Sequence, residues 1–176
     1  FSVFFDGGSR PVPSQGGSGA VLYLNGIEIA NDSATSPFFT SNQAEYFAAV
    51  LAVELALSHP SSSPLNIFGD SKIIIEALQN RTFPKKNILL PLHIMLINAI
   101  SLLPLPPVYH HISRNFNKRA DEIANAACIS EEAAVTIRNQ PQNGRSNALP
   151  RAPPSLFSLL RKWLHPSCYD PSFPLP

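Results

Sequence analysis

The dipeptide Asn25-Gly26, set between "SGAVLYL" and "IEIANDS", constrains this chain more than any other short feature. A two-residue type I′ turn needs positive φ at both central positions, and Asn followed by Gly supplies it at low cost. The runs on either side are therefore expected to pair as antiparallel strands. Upstream, residues 1–7 read as a further strand, with Phe1, Val3 and Phe5 on one face and Ser2, Phe4 and Asp6 on the other. Apolar residues on both faces suggest a central strand covered from both sides. The stretch "RPVPSQGG" between these strands reads as a loop because of its prolines and glycines.

Beyond the hairpins the period changes. Between Asn42 and Leu57, apolar residues such as Phe47, Val50, Leu51 and Leu55 recur at three- and four-residue spacing, which predicts a helix. "LNIFGD" reads as a short buried strand, and "SKIIIEALQN" as a helix with Ser71 at its N-cap. A third helix is expected from Pro91 to Leu103, a fifth strand at "PPVYHHIS", and a last helix capped by Asn117. The order β-β-β-α-β-α-α-β-α implies an α/β fold. Three hairpin-linked strands followed by strand–helix alternation give a five-stranded mixed sheet flanked by helices on both faces.

Composition narrows the class. Of 176 residues, 44% are hydrophobic and 14% charged, the latter low for a globular chain. A formal net charge of +1 argues neither for nor against nucleic acid. The longest apolar run, "NILLPLHIMLINAISLLPL", is interrupted by prolines and polar residues, so no membrane span is expected. Cys128 and Cys168 are too far apart in character to suggest a disulfide framework, and an intracellular setting, cytoplasm or nucleus, follows as the default. The first residues fall inside a strand-like run, which suggests a piece of a longer polypeptide. Residues 1–137 read as one domain. Residues 138–176, with "NQPQNGRSNALPRAPPS" and "HPSCYDPSFPLP", read as a Pro-rich disordered tail carrying one short amphipathic helix at 155–165.

Four acids stand out by position. Asp6 ends the first strand, Glu45 lies one turn into the first helix, Asp70 ends the fourth strand, and Asp121 opens the last helix. Each has an ordinary reading alone: turn residue, helix cap, or first-turn acid favoured by the helix dipole. If strands one and four are parallel neighbours, however, Asp6 and Asp70 emerge side by side, with Glu45 and Asp121 approaching from flanking helices. Close carboxylates raise one another's pKa and become stable around divalent cations. Hard oxygen ligands suit Mg²⁺, and two ions about 4 Å apart can activate water and stabilise the leaving oxygen of a phosphodiester.

The segments "FFDGGSR", "GGSGAVLY", "TSNQAEYFAAVLAVELAL", "FGDSKIIIEALQN" and "ISRNFNKRADEIANAA" carry a resemblance over residues 1–130. In their order and spacing the chain resembles the type 1 ribonuclease H family, in its reverse-transcriptase-associated, plant- and archaeal-like branch. The resemblance implies an RNase H-like fold and endonucleolytic hydrolysis of the RNA strand of RNA–DNA hybrids by a two-metal-ion mechanism. It implies Asp6, Glu45, Asp70 and Asp121 as catalytic metal ligands for two Mg²⁺ ions, with Mn²⁺ able to substitute. Substrate contacts are expected at Gly7, Gly8, Ser41, Asn42, Ser71, Arg114 and Asn117, the glycines letting a nucleic-acid backbone come close. Expected partners are the hybrid itself and a polymerase or other domain of a longer polyprotein, as in a retrotransposon.

Two departures from the family pattern matter. Many members carry consecutive amides three and four residues before the glutamate. Here Asn42 supplies one and Ser41 replaces the other. The bacterial type places a mobile histidine where Arg114 stands, and guanidinium grips phosphate but shuttles no proton at neutral pH. His110 and His111 read as core or edge residues of the fifth strand. The alternative function is a non-catalytic nucleic-acid-binding module or retroelement relic. Exonuclease and integrase relatives fit less well, since Gly7-Gly8 replaces the Asp-x-Glu of the former and Asp121 stands where the latter carry Glu.

Overall fold

The computed structural model describes residues 1–11, 14–37, 39–59 and 61–137. The expectations for the Pro-rich tail, including the helix at 155–165, lie outside these residues. The elements are β1 (Ser2–Pro11), β2 (Ser14–Leu24), β3 (Ile27–Pro37), α1 (Ser41–Leu57), β4 (Asn66–Gly69), α2 (Lys72–Asn80), α3 (Leu90–Ser101), β5 (Val108–His111) and α4 (Lys118–Ile137). Short 3-10 turns at Asn87–Leu89 and Arg114–Phe116 precede α3 and α4. The sheet runs β3-β2-β1-β4-β5. β1 and β2, and β2 and β3, pair antiparallel, while β4 is parallel to both β1 and β5. The expected five-stranded mixed sheet is present.

Asn25 and Gly26 have φ of 52° and 81°, the positive pair that the β2–β3 turn requires. The loop expected at residues 10–17 is a correction. β1 extends to Pro11 and β2 starts at Ser14, with Gly8 opposite Gly17 and Ser9 opposite Gly16. Its glycines serve close packing within a long ribbon. A side chain on Gly17 or Gly19 would collide with α4 at Ala120, Ala124 or Cys128, and one on Gly16 with Phe39. On the opposite face Ser18 Oγ donates to the carbonyl of Ala44 in α1 at 2.7 Å. Helices thus cover both faces of β2.

α1 starts one residue earlier than its apolar period suggests, because Thr40 and Gln43 form a capping box. Its apolar residues are buried nearly all round, including Phe47, Val50, Leu51 and Val53, since it lies between the sheet and α3. On the sheet it meets Val3, Phe5, Ala20 and Leu22, all fully buried. α4 covers the other face through Ala120 and Ile123 against Val21, with Phe4 and Tyr23 alongside. No helix among the described residues is long and apolar enough to cross a membrane.

Candidate active site

Asp6 is not at the end of β1, as expected, but within it. It ends something else. The parallel pairing with β4 stops at Phe5 opposite Gly69, while β1 runs on beside β2. Asp6 and Asp70 are therefore each the next residue after a shared last pair, at the point where the two strands diverge. Glu45 reaches the same point because Gly7 lets the first turn of α1 rest directly on β1: any side chain there would collide with Ala44 and Glu45. Gly7 thus serves the helix, whereas Gly8 faces open space.

Carboxylate oxygens of Asp6, Glu45 and Asp70 all lie within 4.8 Å of one another. Asp121, in the first turn of α4, lies close enough to Asp6 to help push up its carboxyl. Oδ1 of Asp121 accepts from Arg114 Nη2 at 2.6 Å. Three acids form a compact set, and the fourth sits against it, clasped by a cation.

The electrostatic cost of this grouping is plain. Asp6 is only 5% exposed, and its carboxyl is pushed up to about 7, first by burial and then by Asp70 and Asp121. Glu45 is pushed up to about 9, again first by burial, then by the charges of Asp6 and Asp70; a hydrogen bond from the Gly7 backbone pulls the other way. Glu45 Oε2 is buried with no hydrogen-bond partner. A buried orphaned carboxylate oxygen facing two more carboxylates is a poor arrangement for protein alone. It fits a hard divalent cation, which would supply the missing partner and the missing charge.

Asn117 holds the group together. It is 1% exposed, and its Nδ2 donates to the carbonyl of Phe5 at 2.8 Å and to Asp70 Oδ1 at 3.1 Å. Its carbonyl accepts from the Asp121 amide at 3.0 Å, opening α4. Asn117 thus stands at the cap of α4, as expected, although its side-chain amide turns into the sheet and its Oδ1 has no hydrogen-bond partner among the described residues. Its Nδ2 is engaged by the two protein partners, Phe5 and Asp70.

Other candidate contacts are spread along the rim. Ser41 Oγ is 2.9 Å from Ser9 Oγ, joining the start of α1 to β1. Asn42 is half-buried beside it. Ser71 stands at the N-cap of α2 without a side-chain capping bond, its carbonyl accepting from Ile74 and Ile75. His110 and His111 lie on edge strand β5, as expected. His110 Nε2 meets Asn66 Oδ1 at 3.0 Å. His111 Nε2 lies 3.2 Å from the carbonyl of Asp70, a support for the acid that sequence reasoning missed. No local motif signals that contact. The orienting role of Asn117 had one signal, its place one helical turn before Asp121.

Residues 4–127 match the family described as reverse transcriptase-like. No curated protein sequence matches the chain. Solved structures do. RNase H1 of the halophilic archaeon Halobacterium salinarum NRC-1 is 28% identical with a TM-score of 0.65, over 72% of this chain and 95% of that one. LC11-RNase H1, isolated from compost and solved with an RNA/DNA hybrid, is 27% identical with a TM-score of 0.67, over 76% and 98%. The N-terminal RNase H domain of rv2228c from Mycobacterium tuberculosis is 27% identical with a TM-score of 0.65, over 73% and 99%. With the sheet order, the strand-end acids and the match over most of its length, the chain belongs to the reverse transcriptase-like family of ribonuclease H domains.

Proposed function

We propose that the chain hydrolyses the RNA strand of RNA–DNA hybrids, cutting endonucleolytically with two divalent cations. The observation that carries this reading is the set Asp6, Glu45 and Asp70, with Glu45 Oε2 buried and unpartnered. A binding module without chemistry has no use for so costly a grouping. The hybrid complex of the similar LC11-RNase H1 supports the substrate class.

Asp6, Glu45, Asp70 and Asp121 would hold the cations, with Mg²⁺ favoured by their hard oxygens and Mn²⁺ able to replace it. When bound, such ions lower the pKa of a coordinated water and stabilise the oxygen leaving a phosphodiester. The protein's own part is placement. Asn117 fixes the rotation of the Asp70 carboxylate, and the Gly7 amide fixes that of Glu45. Arg114, its side chain 73% exposed, is suited to exchange Asp121 for a phosphate oxygen, and it neither takes nor gives a proton near pH 7. Recognition of RNA would use its 2′-hydroxyls in the shallow minor groove, met by the backbone near Gly8, Asn42 and Ser71. A polymerase in the same polyprotein is the partner this chemistry suits.

The test is cleavage of an end-labelled hybrid by the purified chain with Mg²⁺ or Mn²⁺, beside duplex DNA of the same sequence. Hybrid cutting that leaves 3′-hydroxyl and 5′-phosphate ends, with duplex DNA spared, is expected. Intact hybrid under both metals would overturn the reading.

A further inference from the structure

The sheet face that carries α4 also carries a row of rings. Phe4 of β1 stacks on Phe68 of β4 with centroids 4.6 Å apart, and Phe68 stacks on His110 of β5 at 4.5 Å. Tyr23 of β2 meets Phe4 edge-on at 5.5 Å. Beside this row, the 3-10 turn before α4 holds Phe116 out to solvent, 78% exposed. Between Phe116 and the rings of Phe4, Tyr23 and Phe68 lies an open slot of about 340 Å³, walled by Asn117 and Arg119.

Three features of the slot bear on what it holds. Its walls are aromatic, so a flat ring can stack there. Its wall includes Arg119, and the run "RNFNKR" sets exposed Lys118 next to it in the sequence, while Arg114 of the same run is paired with Asp121. Arg119 is fixed there by hydrogen bonds of 3.0 and 3.1 Å to the two carboxylate oxygens of Glu28. Finally, the slot adjoins the acids, because Asn117 lines it and also donates to Asp70. An apolar peptide would use the rings but not the cations. A nucleotide uses both.

We propose that this slot takes an unpaired nucleobase, stacked on Phe116, from a single-stranded segment continuous with the nucleic acid at the acids, its backbone phosphate facing Lys118. The proposal rests on the function proposed above for why nucleic acid is present, and it adds a preference for substrates with a single-stranded extension. Aromatic stacking is tolerant of base identity, so RNA and DNA single strands of one sequence should both enter.

The experiment uses the full chain without divalent metal. Fluorescence anisotropy is measured with labelled single-stranded RNA, single-stranded DNA and a blunt hybrid. Phe116→Ala should weaken binding of the single strands about tenfold, the scale of one lost base–aromatic stack. It should leave binding of the blunt hybrid unchanged, while Phe116→Tyr should restore the single-strand affinity. Circular dichroism should show the same fold, since the side chain is exposed. Equal single-strand affinity in wild type and Phe116→Ala overturns the slot, as does no single-strand binding by wild type, or an equal loss on the blunt hybrid. Cleavage is scored separately. A chain that binds single strands through Phe116 but leaves hybrids intact keeps the slot and loses the catalytic reading, and the reverse result removes the slot alone.

Discussion

Asn117 donates to Asp70 at 3.1 Å from the floor of the site, while the same amide nitrogen holds the Phe5 carbonyl and the Asn117 carbonyl starts α4. One residue, through its side chain and its backbone carbonyl, therefore ties together the three elements that bring Asp6, Asp70 and Asp121 to one place. Asn117→Ala should cost about 1–3 kcal/mol of stability, because it removes two hydrogen bonds of a buried side chain, one of them to a carboxylate. It should also lower hybrid cleavage well beyond what the lost stability explains. Urea denaturation beside single-turnover cleavage separates the two effects. Unaltered cleavage in a destabilised protein would confine Asn117 to a structural role.

Asp70→Asn addresses the cation directly. An amide keeps the shape and loses the charge, so the fold should survive and cleavage should disappear. Wild-type protein should gain melting temperature as Mn²⁺ is added, because a ligand that binds only the native state stabilises it. The variant should gain much less. Equal metal-induced shifts in the two proteins would remove Asp70 from the metal-binding set.

Arg114 clasps Asp121 at 2.6 Å while remaining open to solvent. Its replacement by alanine should slow turnover about tenfold, the scale of one charge-assisted hydrogen bond. The apparent affinity for metal should rise, since a competing cation has left the acids. Arg114→Lys should recover part of the rate and reverse the gain in metal affinity. Complete loss of single-turnover cleavage would place the guanidinium in the chemical step itself.

Glu54 offers a pH signature away from the site. It is half-buried in α1, its Oε1 has no partner, and burial followed by the charge of Asp32 pushes its carboxyl up to about 7 from an ordinary 4.5. The folded chain therefore holds this proton more tightly than the unfolded chain. The stability it contributes is full below about 4.5 and is lost as pH rises through about 7. Glu54→Gln, which does not titrate, should gain stability relative to wild type between about pH 5 and about pH 8. Denaturation curves at those two values check it, and a difference independent of pH would contradict the shift.

Much of the fold was legible because its signals are local. Asn25-Gly26 specifies its turn through φ alone, and the periods of α1 and α2 declare their buried faces. The convergence of the acids followed from strand adjacency, since β4 after a helical crossover has few places to lie but beside β1. The ribbon at residues 10–17 was misread for a physical reason. Glycine and proline punctuate loops in a sequence, yet here Gly16 and Gly17 make room for Phe39 and α4. The bonds of Asn117 to the Phe5 carbonyl and of His111 to the Asp70 carbonyl were hidden because these partners are 112 and 41 residues away. The clasp of Arg114 on Asp121 spans seven residues, and two turns of different pitch separate them, so spacing alone says nothing about contact.

Gly17 and Gly19 leave nothing between the backbone of β2 and that of α4, and Asp121 is the fourth residue of that helix. The reach of this acid is thus set at a seam between two main chains, on a strand that contributes no reactive group of its own. A single methyl there would lever the helix outward and carry Asp121 away from Asp6, with every acid still in its place in the sequence. Inheritance of the four carboxylates is therefore no guarantee of the chemistry. A lineage that kept all four but lost one of these bare positions would own the tools without the grip to use them.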